Sequence, residues 1–274
     1  MKTITLPFMF TLLCVVGIVS CGDGDSDLQL TGESGRPSKI TVHNGWGGDM
    51  LFYYRDGKLS EVKEKKGAIR RFSYEDNELA SIGLSPEDKT VADGSGWMGF
   101  RREDRRIIVE ASYEPGFALI RTELELDEHD IPVRITDAGT YSRTGENGEL
   151  TLIREGQSYA ELTYDSATGQ LVKQVVYDRA TSEKTASYDY EYDGNTGAAS
   201  KINLPLWYLA YSAYGDRDYR SAYNRLLFNY SGNLVRETVV SAEEDGVYNY
   251  DYRYDRENVP VSMKSDIVDI TITY

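Results

Sequence analysis

The side chains that could do chemistry are few. Histidine occurs twice, at His43, where an early alternating stretch ends, and at His129, inside the turn that follows Leu126. Neither has a second histidine or a cysteine near it in sequence, so metal ligation or a catalytic triad would need partners brought from far along the chain. A polar residue at a strand end or in a turn needs nothing further. The two cysteines, Cys14 and Cys21, both lie within the first 21 residues. Carboxylates are abundant, at 45, but they gather where the chain turns, and Asp has a turn-forming reason to stand there. The chain has no G-x-S-x-G, Walker loop, zinc helix or dinucleotide fingerprint. No catalytic, metal-binding or cofactor-binding residue is expected, and the chain reads as a non-enzymatic protein.

The feature with some chemical specificity is aromatic excess, with 22 Tyr, 7 Phe and 3 Trp. One aromatic stretch departs from alternation, NLPLWYLAYSAYG over 203–215, where Trp207, Tyr208, Tyr211 and Tyr214 fall at helical spacing. Asn203 is available as a cap, Pro205 for the first turn and Gly215 for the stop. The spacing predicts one short helix near 204–214. Trp207, Tyr208, Tyr211, Tyr214 and Tyr219 are candidate ligand-binding residues, an aromatic surface for a sugar or a peptide. The competing and favoured reading is that this helix plugs a sheet and buries its rings.

The elements that must position these residues are written as a recurring unit, clearest at YDSATGQLVKQV from Tyr164. It returns as YRDGKLSEV from Tyr54, YEDNELASI from Tyr74, LDEHDIPVRI from Leu126, YDGNTGAASKI from Tyr192, YSGNLVRETV from Tyr230 and YDRENVPVSM from Tyr254. An aromatic strand end, an acidic turn and an alternating outgoing strand make a β-hairpin. Asp56-Gly57 and Asp76-Asn77 are tip residues that tolerate positive φ, and Pro132 and Pro260 suit a turn exit. The stretch 85–99, around Trp97, reads as a loop. Tyrosines at every second position (188, 190, 192; 248, 250, 252, 254) share one face of a half-buried strand. The expected fold is all-β: an antiparallel meander of hairpins in a curled single sheet or partly open roll, with the helix over its concave face. Its first and last strands would be edges that need protection.

The first 20 residues carry Lys2, an apolar run and Ser20 before Cys21, the layout of a secretory signal. The run is too short to span a bilayer. Residues 18–21 (IVSC) resemble the bacterial lipobox, which implies cleavage before Cys21 and lipidation of its thiol. The mature chain would then hold no thiol and no disulfide, so packing alone must stabilise it. Removal of Lys2 with the signal takes the formal charge from −15 to −16. Such a surface repels phosphate backbones and anionic headgroups, so nucleic acid is not an expected partner and the membrane link is the lipid. Residues 22–38 are acidic, Gly and Ser rich, and read as a tether within 21–38. Asp23, Asp25 and Asp27 imitate a calcium loop, but Leu28 stands where glycine is required and Ser34 where glutamate is. One domain is expected over 39–274.

Tyr164-Asp165 with Gly169 and Leu171, and Tyr192-Asp193 with Gly197, resemble the YD repeat of RHS-type proteins. With the lipobox, the acidic tether and the aromatic insertion, the chain is similar to Bacteroidetes lipoproteins that carry a domain of unknown function built from degenerate hairpin repeats. The resemblance implies an outer-membrane, surface-exposed lipoprotein and no known activity. The function expected is a binding or scaffold module for an extracellular ligand, a glycan or a surface protein. The alternatives are a carrier of lipid or apolar cargo and, less favoured, a hydrolase.

Overall fold

The computed structural model describes residues 35–45, 48–65, 68–86, 96–112, 118–144, 149–215, 222–242 and 245–274. The expected signal, Cys21, most of the tether and Tyr219 lie outside them. The strands begin with β1 (Lys39–Asn44), β2 (Met50–Arg55), β3 (Lys58–Glu64), β4 (Ala68–Glu75), β5 (Glu78–Pro86) and β6 (Gly96–Glu103). They continue as β7 (Arg106–Ser112), β8 (Leu119–Leu126), β9 (Pro132–Thr144), β10 (Glu149–Glu155), β11 (Ser158–Tyr164), β12 (Leu171–Asp178) and β13 (Lys184–Tyr192). Two helices follow, α1 (Leu206–Gly215) and α2 (Ala222–Phe228). The chain ends in β14 (Leu234–Ser241), β15 (Asp245–Asn249), β16 (Asp251–Tyr254), β17 (Pro260–Lys264) and β18 (Asp269–Thr273).

The architecture is the expected antiparallel meander, carried to closure. β1 pairs with β2 through Lys39↔Leu51 and Ile40↔Met50, and with β18 from Lys39↔Thr273 to Asn44↔Asp269. The first and last strands therefore cover each other, which removes the two edges that the sequence suggested would need protection. β15 and β16 are separated by Tyr250 alone; β15 pairs with β14 and β16 with β17. β9 is the long strand: it pairs with β10 over Gly139 to Thr144 and with β11 over Arg134 to Thr136. Where it changes partner the backbones nearly touch. A Cβ on Gly156 would lie 1.8 Å from the Asp137 carbonyl oxygen, so only glycine fits.

The hairpin units fall where the sequence puts them. Asp56, Gly57, Asp76 and Asn77 all have positive φ at tight tips. Pro132 and Pro260 each open a return strand, and the 85–99 stretch contributes its ends to β5 and β6, with Trp97 inside β6. One unit differs. Tyr192 pairs with Leu234 and not with its own downstream residues, so the units read at Tyr192 and Tyr230 are a single β13–β14 hairpin held open by both helices. α2 was not anticipated, and α1 starts later than the expected cap: the Pro205 carbonyl, not Asn203, accepts the first helical bonds, from Tyr208 and Leu209.

Period two turns most of the apolar residues inward round the ring, with Ile153, Val240 and Val247 among those left exposed, and the helices complete one core with them. Phe52, Val62, Ile82, Val109, Leu124, Ile135, Val176, Val239, Met263 and Ile270 join Tyr208, Ala210, Tyr223, Leu226 and Leu227 in a single cluster. Outward positions carry ion pairs between neighbouring strands, such as Arg71–Glu61 at 3.0 Å and Lys173–Asp189 at 2.9 Å. Inside the core, Arg225 of α2 meets Glu237 of β14 at 2.8 Å, with side chains only 5% and 1% exposed.

The repeated tyrosine has a specific task. The strand pairing shifts by one residue at Tyr54, Tyr74, Tyr164, Tyr192 and Tyr254, and two of these phenols, with those of Tyr252 and Tyr274, reach across to the neighbouring hairpin. Tyr74 donates to the Leu59 carbonyl at 2.9 Å, Tyr192 to that of Leu171 at 3.0 Å, Tyr252 to that of Leu234 at 2.9 Å and Tyr274 to that of Pro260 at 2.9 Å. Leu171, Leu234 and Pro260 each open a return strand, and Leu59 is the second residue of its own. The following Asp closes the tip: Asp165 Oδ1 accepts from the backbone N–H groups of Ala167 and Thr168 and from the Thr168 hydroxyl. These bonds, the Thr168 hydroxyl foremost, hold its carboxyl below the usual carboxylate range. Asp127 is lowered likewise, chiefly by the Ile131 N–H.

Candidate functional site

The hairpin tips and the entry to α1 gather at one end of the ring, around an open cleft of about 400 Å³. That lies near the lower end of the range for small-molecule sites, ~300–1,000 Å³. Its walls come from separate places in the chain. Lys58 is supplied by the start of β3, and Tyr74, Asn77 and Glu78 by the β4–β5 tip. Arg102 comes from β6, His129 and Asp130 from the β8–β9 turn, Asn203 and Pro205 from the approach to α1, and Trp207 from its first turn.

Several of these walls are held in place. The Trp207 indole is half-buried; it stands edge-on to Phe100 at 5.0 Å and to Tyr208 at 6.2 Å. The Lys58 ammonium donates to the Asn77 carbonyl at 3.1 Å and to its side-chain oxygen at 2.8 Å, and lies 4.7 Å from the centre of the Tyr74 ring. Burial pushes the Tyr74 phenol up to about 12, so it remains a neutral donor to Leu59. Arg102 donates to Asp130, an aspartate at φ 63°. Asn203 and His129 are exposed. The cleft thus offers an aromatic face, two amides and charges of both signs, of which Lys58, Asn77, Arg102 and Asp130 are engaged with one another.

Of the aromatic candidates that lie among the described residues, Trp207 alone lines this cleft. Tyr208, Tyr211 and Tyr214 are 5%, 9% and 7% exposed and belong to the core. Tyr208 packs against the rings of Phe72 and Phe100, and Tyr214 hydrogen-bonds through its hydroxyl to Ser158 at 2.9 Å. Rings so covered have no face to present. The sequence reading passed over Lys58, Asn77, Arg102 and Asp130. One signal did bear on them: the 20-residue offset between Tyr54 and Tyr74 places Lys58 of one hairpin beside Asn77 of the next. Among the described residues no group of three or more His, Cys, Asp or Glu could hold a metal ion.

The fold defines an all-β protein whose antiparallel meander closes round a two-helix plug. No protein-family model and no curated protein matches the sequence. Among solved structures it is similar to a porin-like protein from Bacteroides vulgatus ATCC 8482, at 11% identity and TM-score 0.39, over 88% of this chain and 99% of that one. It is also similar to a chain of the TcdB2–TccC3–Cdc42 complex, at 14% identity and TM-score 0.23, over 81% of this chain and 12% of that one. Neither score carries an argument about what this chain does.

Proposed function

We propose that this is a lipid-anchored, surface-exposed protein of the outer membrane that binds an extracellular glycan in the cleft at Trp207, without performing catalysis. The observation that carries the reading is the half-buried indole forming one wall of an open cleft whose other walls are amides and charged groups. A sugar ring has an apolar C–H face to lay on an aromatic plane and hydroxyls that need donors and acceptors at its rim.

The charged outer face fits a chain tethered by lipid at Cys21. A barrel that faces lipid carries an apolar band ~25 Å tall on its outside, and here the outward positions carry Glu–Arg and Lys–Asp pairs. The carrier alternative needs interior space for cargo, which Tyr208, Tyr223, Leu226 and Leu227 occupy instead. For a hydrolase, one of the two carboxylates on the cleft wall, Asp130, is already engaged by Arg102.

The test is a glycan array probed with the whole chain kept in detergent, beside a Trp207→Ala variant shown to be folded. Binding lost in the variant supports the reading. Silence of the native chain across the array overturns it and favours a protein ligand.

A further inference from the structure

We infer, resting on that glycan-cleft reading, that the cleft selects an acidic sugar, a uronate, whose carboxylate is received by the Lys58 ammonium. The argument turns on how Lys58 is held. Its two hydrogen bonds go to the carbonyl and side-chain oxygens of one residue, Asn77, and its third contact is the face of the Tyr74 ring. All of these are neutral. Among the described residues, no carboxylate comes within ion-pairing distance of it, whereas the other strong cation of the cleft, Arg102, is paired with Asp130. An ammonium has three protons to give, and Asn77 takes two.

This matters because of the chain around it. With 45 acidic side chains against 30 basic ones, the surface as a whole repels anions, and a carboxylate gains nothing from the general field. A cation oriented by neutral groups, partly screened from water and set on a cleft wall is the arrangement that makes a charge-assisted hydrogen bond worthwhile. The sugar ring would lie on Trp207, and its acid group would reach Lys58.

The experiment uses the whole chain in detergent and a panel of oligo-uronates (galacturonate, glucuronate and mannuronate), each beside its methyl ester. The ester keeps the ring and removes the charge. The expected result is that at least one free acid binds about tenfold tighter than its ester, a difference of ~1.4 kcal/mol. Lys58→Gln should abolish that preference by weakening the acid about tenfold more than the ester, and Lys58→Arg should retain it. Trp207→Ala should weaken acid and ester alike. Esters that bind as well as acids, or a preference that survives in Lys58→Gln, would overturn the inference and leave the glycan reading standing. If no acid or ester binds and the neutral array is silent too, both fail together.

Discussion

The Tyr74 hydroxyl donates to the main-chain oxygen of Leu59 at 2.9 Å, tying the β4–β5 hairpin to the start of the return strand of β2–β3. The repeat is therefore a row of stitches between neighbouring hairpins, and its removal is measurable. Tyr74→Phe should cost ~1 kcal/mol, the net worth of one hydrogen bond. Tyr164 is the internal control, because its hydroxyl is buried with no hydrogen-bond partner among the described residues. Tyr164→Phe should be neutral or stabilising. Urea denaturation of both variants checks the pair; equal losses would disprove the stitch.

The buried pair Arg225–Glu237 predicts a strong asymmetry. Arg225→Met alone strands a carboxylate inside the core and should destabilise by ~3–5 kcal/mol, whereas Arg225→Met combined with Glu237→Leu should recover most of that. Thermal unfolding of the single and double variants decides it. A double variant as damaged as the single one would mean that the pair is worth more than its desolvation.

Alkali should unfold the protein. Burial pushes the phenols of Tyr74, Tyr230 and Tyr254 up to about 12, against ~10 in an unfolded chain. Above pH 10 the unfolded state sheds protons that the folded state keeps. This contribution to stability is thus intact below pH 10 and is lost as pH rises from 10 towards 12. Absorbance of tyrosinate should rise together with loss of far-ultraviolet circular dichroism. Smooth titration near pH 10 with the dichroism unchanged would contradict the burial.

Trp207 and Tyr208 are adjacent in sequence but face different surroundings. Tyr208→Ala should cost ~3–5 kcal/mol, the usual loss for a buried aromatic. Trp207→Ala should cost clearly less and show itself in binding. Melting temperatures alongside ligand titration separate the two.

At the start of the chain, Cys21→Ala should yield a protein that neither takes up labelled palmitate nor partitions with membranes. Membrane association unchanged in that variant would remove the lipid anchor from the proposed function.

Much of this architecture was legible in the sequence because its cause is local. Asp56-Gly57 and Asp76-Asn77 set hairpin tips by their own backbone preferences, and the tyrosines at 248, 250, 252 and 254 share a face whatever lies opposite. What only the tertiary structure decided depends on residues far apart in the chain. Lys39 meets Thr273 and closes the ring; Tyr192 skips its own turn to pair with Leu234 across both helices. Lys58, Arg102, Asp130 and Trp207 form one cleft from four different segments. Alternation tells each side chain which face to take, but it says nothing about which strand will lie alongside or whether the sheet will meet itself. Those outcomes follow from twist accumulated over the whole meander and from the volume of aromatic plug the interior must enclose.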